Sequence, residues 1–160
     1  MPRSARIFID NACYHIITKG IQKQVVFREE ADYLHYLQLL HKYKVKYRCL
    51  IYGYCLMGTH VHIVLESPSG LKAMSSFMHG LNQSYAMKFN SKYKTNGHLW
   101  QNRYKNFAVL KGDYLINLIS YIEFNPIRAK IVPKPEDYQW SSYRWRALGE
   151  KNTVLDACIT

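Results

Sequence analysis

The sequence predicts an α+β fold, with four strands and two helices in the order β-α-β-β-α-β and a further helix added after the last strand. Three observations carry this prediction. Short β-branched runs alternate with longer stretches of helical periodicity. Gly20 and Gly58 punctuate the runs where turns are needed. The 160 residues, 48% apolar and 21% charged, match one ordinary globular domain.

Residues 14–18 (YHIIT), closed by Gly20, read as the first strand. Residues 28–43 place Leu34, Leu37 and Leu40 at helical spacing. Glu29, Glu30 and Asp32 stand at the start and Lys42 at the end, a charge order that suits the helix dipole. Residues 46–57 and 59–66 flank Gly58 as a hairpin. Residues 71–90 carry Met74, Phe77, Met78, Leu81 and Tyr85 along one helical stripe, residues 107–110 form a short strand, and residues 113–124 form the third helix. This is the ferredoxin-like split β-α-β order, in which an antiparallel sheet has helices on one face and leaves the other for function. With no internal repeat or low-complexity linker, residues 1–160 read as one domain with its core at about 7–148.

Several classes are set aside. No apolar run approaches the ~18 residues of a membrane helix, and the start lacks the apolar region of a secretory signal. Cys13, Cys49, Cys55 and Cys158 stand singly, with no paired spacing for zinc or a disulfide framework. A reduced, cytoplasmic setting is expected.

The charge points to a polyanion. Twenty-two Lys and Arg against 11 Asp and Glu give +11, and residues 67–112 supply +7 of it with no acid at all. That segment contains the run Trp100-Gln101-Asn102-Arg103-Tyr104-Lys105, where cations and aromatics interleave as they do in nucleic-acid surfaces. Lys88, Lys92, Arg103, Lys105 and Arg128 are the expected phosphate contacts, and Trp100 and Tyr104 the expected stacking platforms. For those two aromatics, packing under the last strand is an equal alternative. Trp140, Tyr143 and Trp145 are expected to cap the core, with Arg144 and Arg146 outside.

His60 and His62, two apart on a strand, leave the same face of the sheet and can share one metal ion. The pair alone is unspecific, because seven His in 160 residues produce such spacing by chance in roughly one chain of three. A third donor sharpens the picture. Of the 14 tyrosines, only Tyr121 is followed four residues on by an amide or acid side chain, Asn125. At about 100° per residue the two lie about 40° apart on one flank of the stripe formed by Leu115, Leu118, Ile119 and Ile122. Simpler roles stand beside these: a core ring for Tyr121, and for Asn125 the N-cap of a short helix begun by Pro126. Two imidazoles and an amide oxygen with an open position suit Mg²⁺ or Mn²⁺, which can polarise a phosphodiester.

The segments VVFREEADYLHYL, YCLMGTHVHIVLE, GHLWQNRYKN, YIEFNPIRAKIV and YQWSSYRW, in this order, resemble the single-tyrosine HUH transposases, and in particular the REP-associated tyrosine transposases. The resemblance covers roughly residues 7–148. It implies a ferredoxin-like fold with an added catalytic helix, His60, His62 and Asn125 as metal ligands, and Tyr121 as nucleophile. It also implies cleavage and rejoining of single-stranded or hairpin DNA through a 5′-phosphotyrosine, without a nucleotide cofactor, by a monomer or a homodimer. Two rivals stand against it: a nucleic-acid-binding module without catalysis, and a rolling-circle initiator or relaxase, from which the NPIRAKIV and WSSYR blocks point away.

Overall fold

Local chemistry places each element of the computed structural model, which describes residues 5 and 7–158. Strand β1 (Cys13–Lys19) leads to helix α1 (Glu30–Tyr47), whose start is fixed by Asp32: its Oδ2 accepts the backbone N–H groups of Arg28 (2.9 Å) and Glu29 (3.3 Å). The helix runs one turn beyond the expected end and stops at Arg48, which takes the left-handed conformation (φ 55°) common at C-termini. Strand β2 (Leu50–Leu56) therefore begins later than the sequence pattern alone gives. A tight turn at Gly58 and Thr59, closed by Met57 N–H donating to the His60 carbonyl (2.8 Å), leads to β3 (His60–Glu66). Helix α2 (Leu71–Tyr93) and edge strand β4 (Lys105–Val109) follow, then α3 (Asp113–Glu123), the one-turn α4 (Asn125–Arg128) and α5 (Tyr143–Leu148).

The sheet order is β2-β3-β1-β4, antiparallel throughout, as the ferredoxin-like pattern requires. Helices α1 and α2 cover one face. Tyr14, Ile16, Ile51, Tyr54, Leu56, Ile63 and Leu65 meet Tyr36, Leu40, Met74, Phe77, Leu81 and Tyr85 there in the main core. The two helices approach closely because Gly80 has no side chain; a Cβ there would lie 2.6 Å from the Tyr43 ring.

The opposite face is only partly open. Leu115, Ile119 and Ile122 of α3 pack on Cys13, Tyr52 and Val64 in a second cluster, and Gly53 lets Ile119 settle against β2. A cleft is left open on that face around Ile17 and Lys19 of β1 and His60 and His62 of β3.

The C-terminal segment returns to the sheet. Trp140 stacks on Tyr33 (4.5 Å, 5°) and Trp145 packs against the core, as expected, while Tyr143 meets Phe124 edge-on. Arg144 and Arg146 do not stand free. Arg144 Nε donates to the Glu136 carbonyl (2.8 Å), and Arg146 is drawn to the wholly buried carboxylate of Glu123, which also accepts from Ser142 Oγ. A buried carboxylate needs a partner, and this is the physical reason the arginine turns inward. The four cysteines are free thiols, and among the described residues no helix is long and apolar enough to cross a membrane.

Candidate active site

On β3, Val61 and Ile63 enter the core, so His60 and His62 emerge together on the opposite face, ring centroids 5.0 Å apart. Burial pushes both imidazoles below their ordinary pKa. For His62 the charges of His15, His60, Lys19 and Arg128 add to burial and bring it down to about 3. Both rings are therefore neutral near neutral pH and offer lone pairs to a cation.

A third histidine, which the sequence reading missed, completes this face. His15 lies on β1 two residues from Ile17, the cross-strand partner of His62. Its Nε2 stands 2.8 Å from His62 Nδ1 and the two rings stack (5.1 Å, 25°). The signal was present: alternation along the first strand puts His15 opposite the core residues Tyr14 and Ile16, and the split order makes β1 and β3 neighbours. His60 is held in a similar way, with its Nδ1 3.1 Å from Thr59 Oγ1. A cleft of about 550 Å³ opens over this face, lined by Ile17, Lys19, Lys23, Thr59, His60, His62 and Gln101.

Tyr121 leaves α3 on the flank away from its buried stripe and is 56% exposed, not a core ring. The helix breaks at Phe124 (φ −90°, ψ 0°), which takes the cap position of α4; Asn125 is the first residue of that turn and not its N-cap. Arg128 ties the group together. Its Nη2 donates to the Tyr121 carbonyl and to Asn125 Oδ1, both at 2.6 Å, and its guanidinium lies over the Tyr121 ring with Cζ 3.8 Å from the centroid. Asn125 Nδ2 is buried without a hydrogen-bond partner. The Arg128 charge is one of those that lower the His62 pKa.

The donor chemistry fits a divalent cation. Two neutral imidazoles offer nitrogen lone pairs, and Asn125 offers a carboxamide oxygen currently engaged by Arg128. Among the described residues no three His, Cys, Asp or Glu side chains are grouped to hold a metal by themselves. His15 turns its Nε2 to His62, not outward as a further ligand.

The expected DNA contacts divide. Lys105 pairs with Ile17, which pairs with His62, so its side chain rises on the histidine face two strands away, about 10 Å. Arg103 and Lys105 border a smaller cavity with Lys19, and Lys88 is exposed on α2. Lys19 and Lys23, absent from the expected set, join this basic rim. Lys92 is withdrawn from it: its Nζ pairs with Glu29 (2.6 Å) and Asp32 (2.7 Å), tying the end of α2 to the start of α1. Trp100 is likewise a packing residue, its Nε1 donating to the Asn82 carbonyl (3.1 Å) and its ring 5.9 Å from Tyr85. Tyr104 packs against the core beside it. Arg128 belongs to the tyrosine unit.

The model of a protein family described as IS200-like transposase matches residues 8–125. Among solved structures, a REP-associated tyrosine transposase bound to a REP hairpin superposes with TM-score 0.74 at 18% identity, covering 100% of this chain and 94% of that one. A crystal structure of a transposase from Deinococcus radiodurans gives TM-score 0.49 at 19% identity, covering 86% of this chain and 95% of that one. No curated protein matches the sequence.

Proposed function

Because this chain belongs to the IS200-like transposase family, we propose that it is of the REP-associated kind and cuts and rejoins single-stranded DNA beside hairpin repeats, with Tyr121 as the nucleophile. The transposase match fixes the class of enzyme. The hairpin held by the structural neighbour supports a folded single strand as substrate, and the acid-free basic segment at residues 67–112 supports a DNA partner. We place the reaction in the cytoplasm.

The phenol oxygen of Tyr121 attacks the scissile phosphorus in line. A P–O bond to tyrosine forms, the P–O3′ bond breaks, and the departing 3′ oxygen takes up a proton. The product is a 5′-phosphotyrosine and a free 3′-OH. The linkage conserves the phosphodiester energy, so a second 3′-OH reverses the step without ATP. A phenol with a reference pKa near 10 is a weak nucleophile until its anion is stabilised. The guanidinium of Arg128 against the ring is placed to do this. His60, His62 and Asn125 would hold Mg²⁺ or Mn²⁺, which when bound supplies Lewis-acid polarisation of the phosphate. Lys19, Arg103 and Lys105 line the approach with positive charge and orient the backbone.

Helix α3 is docked on the sheet by the second core cluster, and the Glu123–Arg146 pair ties its end to α5. The observation that carries the proposal is the Tyr121–Asn125–Arg128 unit, in which an exposed tyrosine is tied through one guanidinium to the amide expected to join the histidine pair. The test is incubation with a single-stranded hairpin oligonucleotide and Mn²⁺. A covalent protein–DNA adduct that disappears in Tyr121→Phe supports the reading, and an adduct that persists in that variant overturns it.

A further inference from the structure

We infer that His15 is a positioning residue for His62: it accepts the Nδ1 proton of His62 and thereby keeps the Nε2 lone pair of that ring available to a cation. The inference rests on the reading of His60, His62 and Asn125 as metal ligands.

A neutral imidazole carries one N–H and one lone pair. His62 Nδ1 and His15 Nε2 are 2.8 Å apart, so one proton lies between them, and it belongs to one ring or the other. If it belongs to His15, then His62 Nδ1 is an acceptor and the His62 proton sits on Nε2. Neither nitrogen of His62 can then bind a metal, one being engaged and the other protonated. If it belongs to His62, its Nε2 is bare. Only the second arrangement is compatible with His62 as a ligand, and it requires His15 to carry its own proton on Nδ1.

The fold holds this geometry firmly. His15 stands opposite Val64 in the β1–β3 ladder, diagonal to His62, and opposite Phe107 in the β1–β4 ladder. Its ring is stacked on His62 at 5.1 Å and flanked by Phe107 at 6.2 Å. His60 has the parallel arrangement, with Thr59 Oγ1 at its Nδ1. Each ligating ring thus has Nδ1 occupied by a neighbour, which is how a protein fixes the tautomer and orientation of metal-binding histidines.

The test uses the full chain, metal-free and with imidazole nitrogens labelled by ¹⁵N. Two-bond correlations are expected to show His62 protonated at Nδ1 and bare at Nε2; a His62 protonated at Nε2 overturns the inference. Mn²⁺ binding, measured by calorimetry without DNA, gives a second readout. His15→Leu is expected to weaken it by about 10- to 100-fold, and His15→Gln, which restores an acceptor oxygen, to recover most of the loss. No loss in His15→Leu, or equal loss in both variants, overturns the acceptor role. His60→Ala separates the premise: if it leaves Mn²⁺ binding intact, the metal-site reading itself fails, whatever His15 does. None of these measurements needs an active Tyr121.

Discussion

Replacing Arg146 by Ala strands a carboxylate. Glu123 is completely buried at the end of the tyrosine helix, and Arg146, with about a third of its side chain exposed (32%), is the cation it pairs with among the described residues. Removing one partner of a buried pair costs roughly 3–5 kcal/mol, because the other charge stays desolvated. Arg146 is partly solvated and Ser142 Oγ still donates to the carboxylate, so the lower end, about 3 kcal/mol, is expected. For a chain of this length that is a fall in Tm of about 6–12 °C. The assay is thermal and urea denaturation, with adduct formation measured well below the transition. Because α3 carries Tyr121, adduct formation should fall even where the protein is folded. The double variant Glu123→Gln/Arg146→Met removes both charges while keeping a hydrogen-bonding group for Ser142, and should recover most of the stability. A loss below about 1 kcal/mol in Arg146→Ala, the size of a surface pair, or a double variant no better than the single one, refutes the reasoning.

Three further outcomes follow from the same geometry. Arg128→Ala should leave folding intact and slow adduct formation by about 10²-fold, the size of effect seen when one preorganised charge-stabilising donor is lost; an unchanged single-turnover rate would remove Arg128 from the chemistry. Burial alone would raise the pKa of Asp32, but hydrogen bonds from Lys92, Tyr93 and the Arg28 backbone hold it below the ordinary carboxylate value. A carboxyl depressed in the folded state stabilises the fold above its unfolded pKa of about 3.9, and that stability is lost as pH falls through the lower folded value. The urea midpoint should therefore drop across this acid window, and Asp32→Asn should flatten the drop. Lys105→Ala should weaken single-stranded DNA binding and reduce its salt slope by about one with little change in stability; Trp100→Ala should instead cost about 3 kcal/mol of stability and leave the affinity of the folded protein unchanged.

The elements were legible in the sequence because period-2 and period-3.6 patterns are local. The placement of His60 and His62 on one face followed from that alternation; the expected single helical turn from Tyr121 to Asn125 did not hold, because the helix breaks at Phe124 and Asn125 opens α4. The features that escaped are those made by pairing distant segments. His15 meets His62 only because β3 inserts beside β1, and the ring contact depends on a register that no local window contains. Lys92 looks like any exposed cation until Asp32 and Glu29 are brought across from α1. Arg146 looked external because the buried carboxylate that attracts it lies 23 residues earlier on another helix. Trp100 was balanced between stacking and packing, and the packing half depends on a backbone carbonyl of α2 that meets its indole N–H.

The most direct test of the central claim is to trap the covalent product and locate it. Wild-type protein, a hairpin-bearing single strand and Mn²⁺ are combined, the adduct is digested, and the nucleotide-bearing peptide is sequenced by mass spectrometry. The account predicts a 5′-phosphate linked to the oxygen of Tyr121, formed only when His60 and His62 are intact. A nucleotide attached to any other residue, or the same linkage formed equally well after both histidines are replaced, would contradict it.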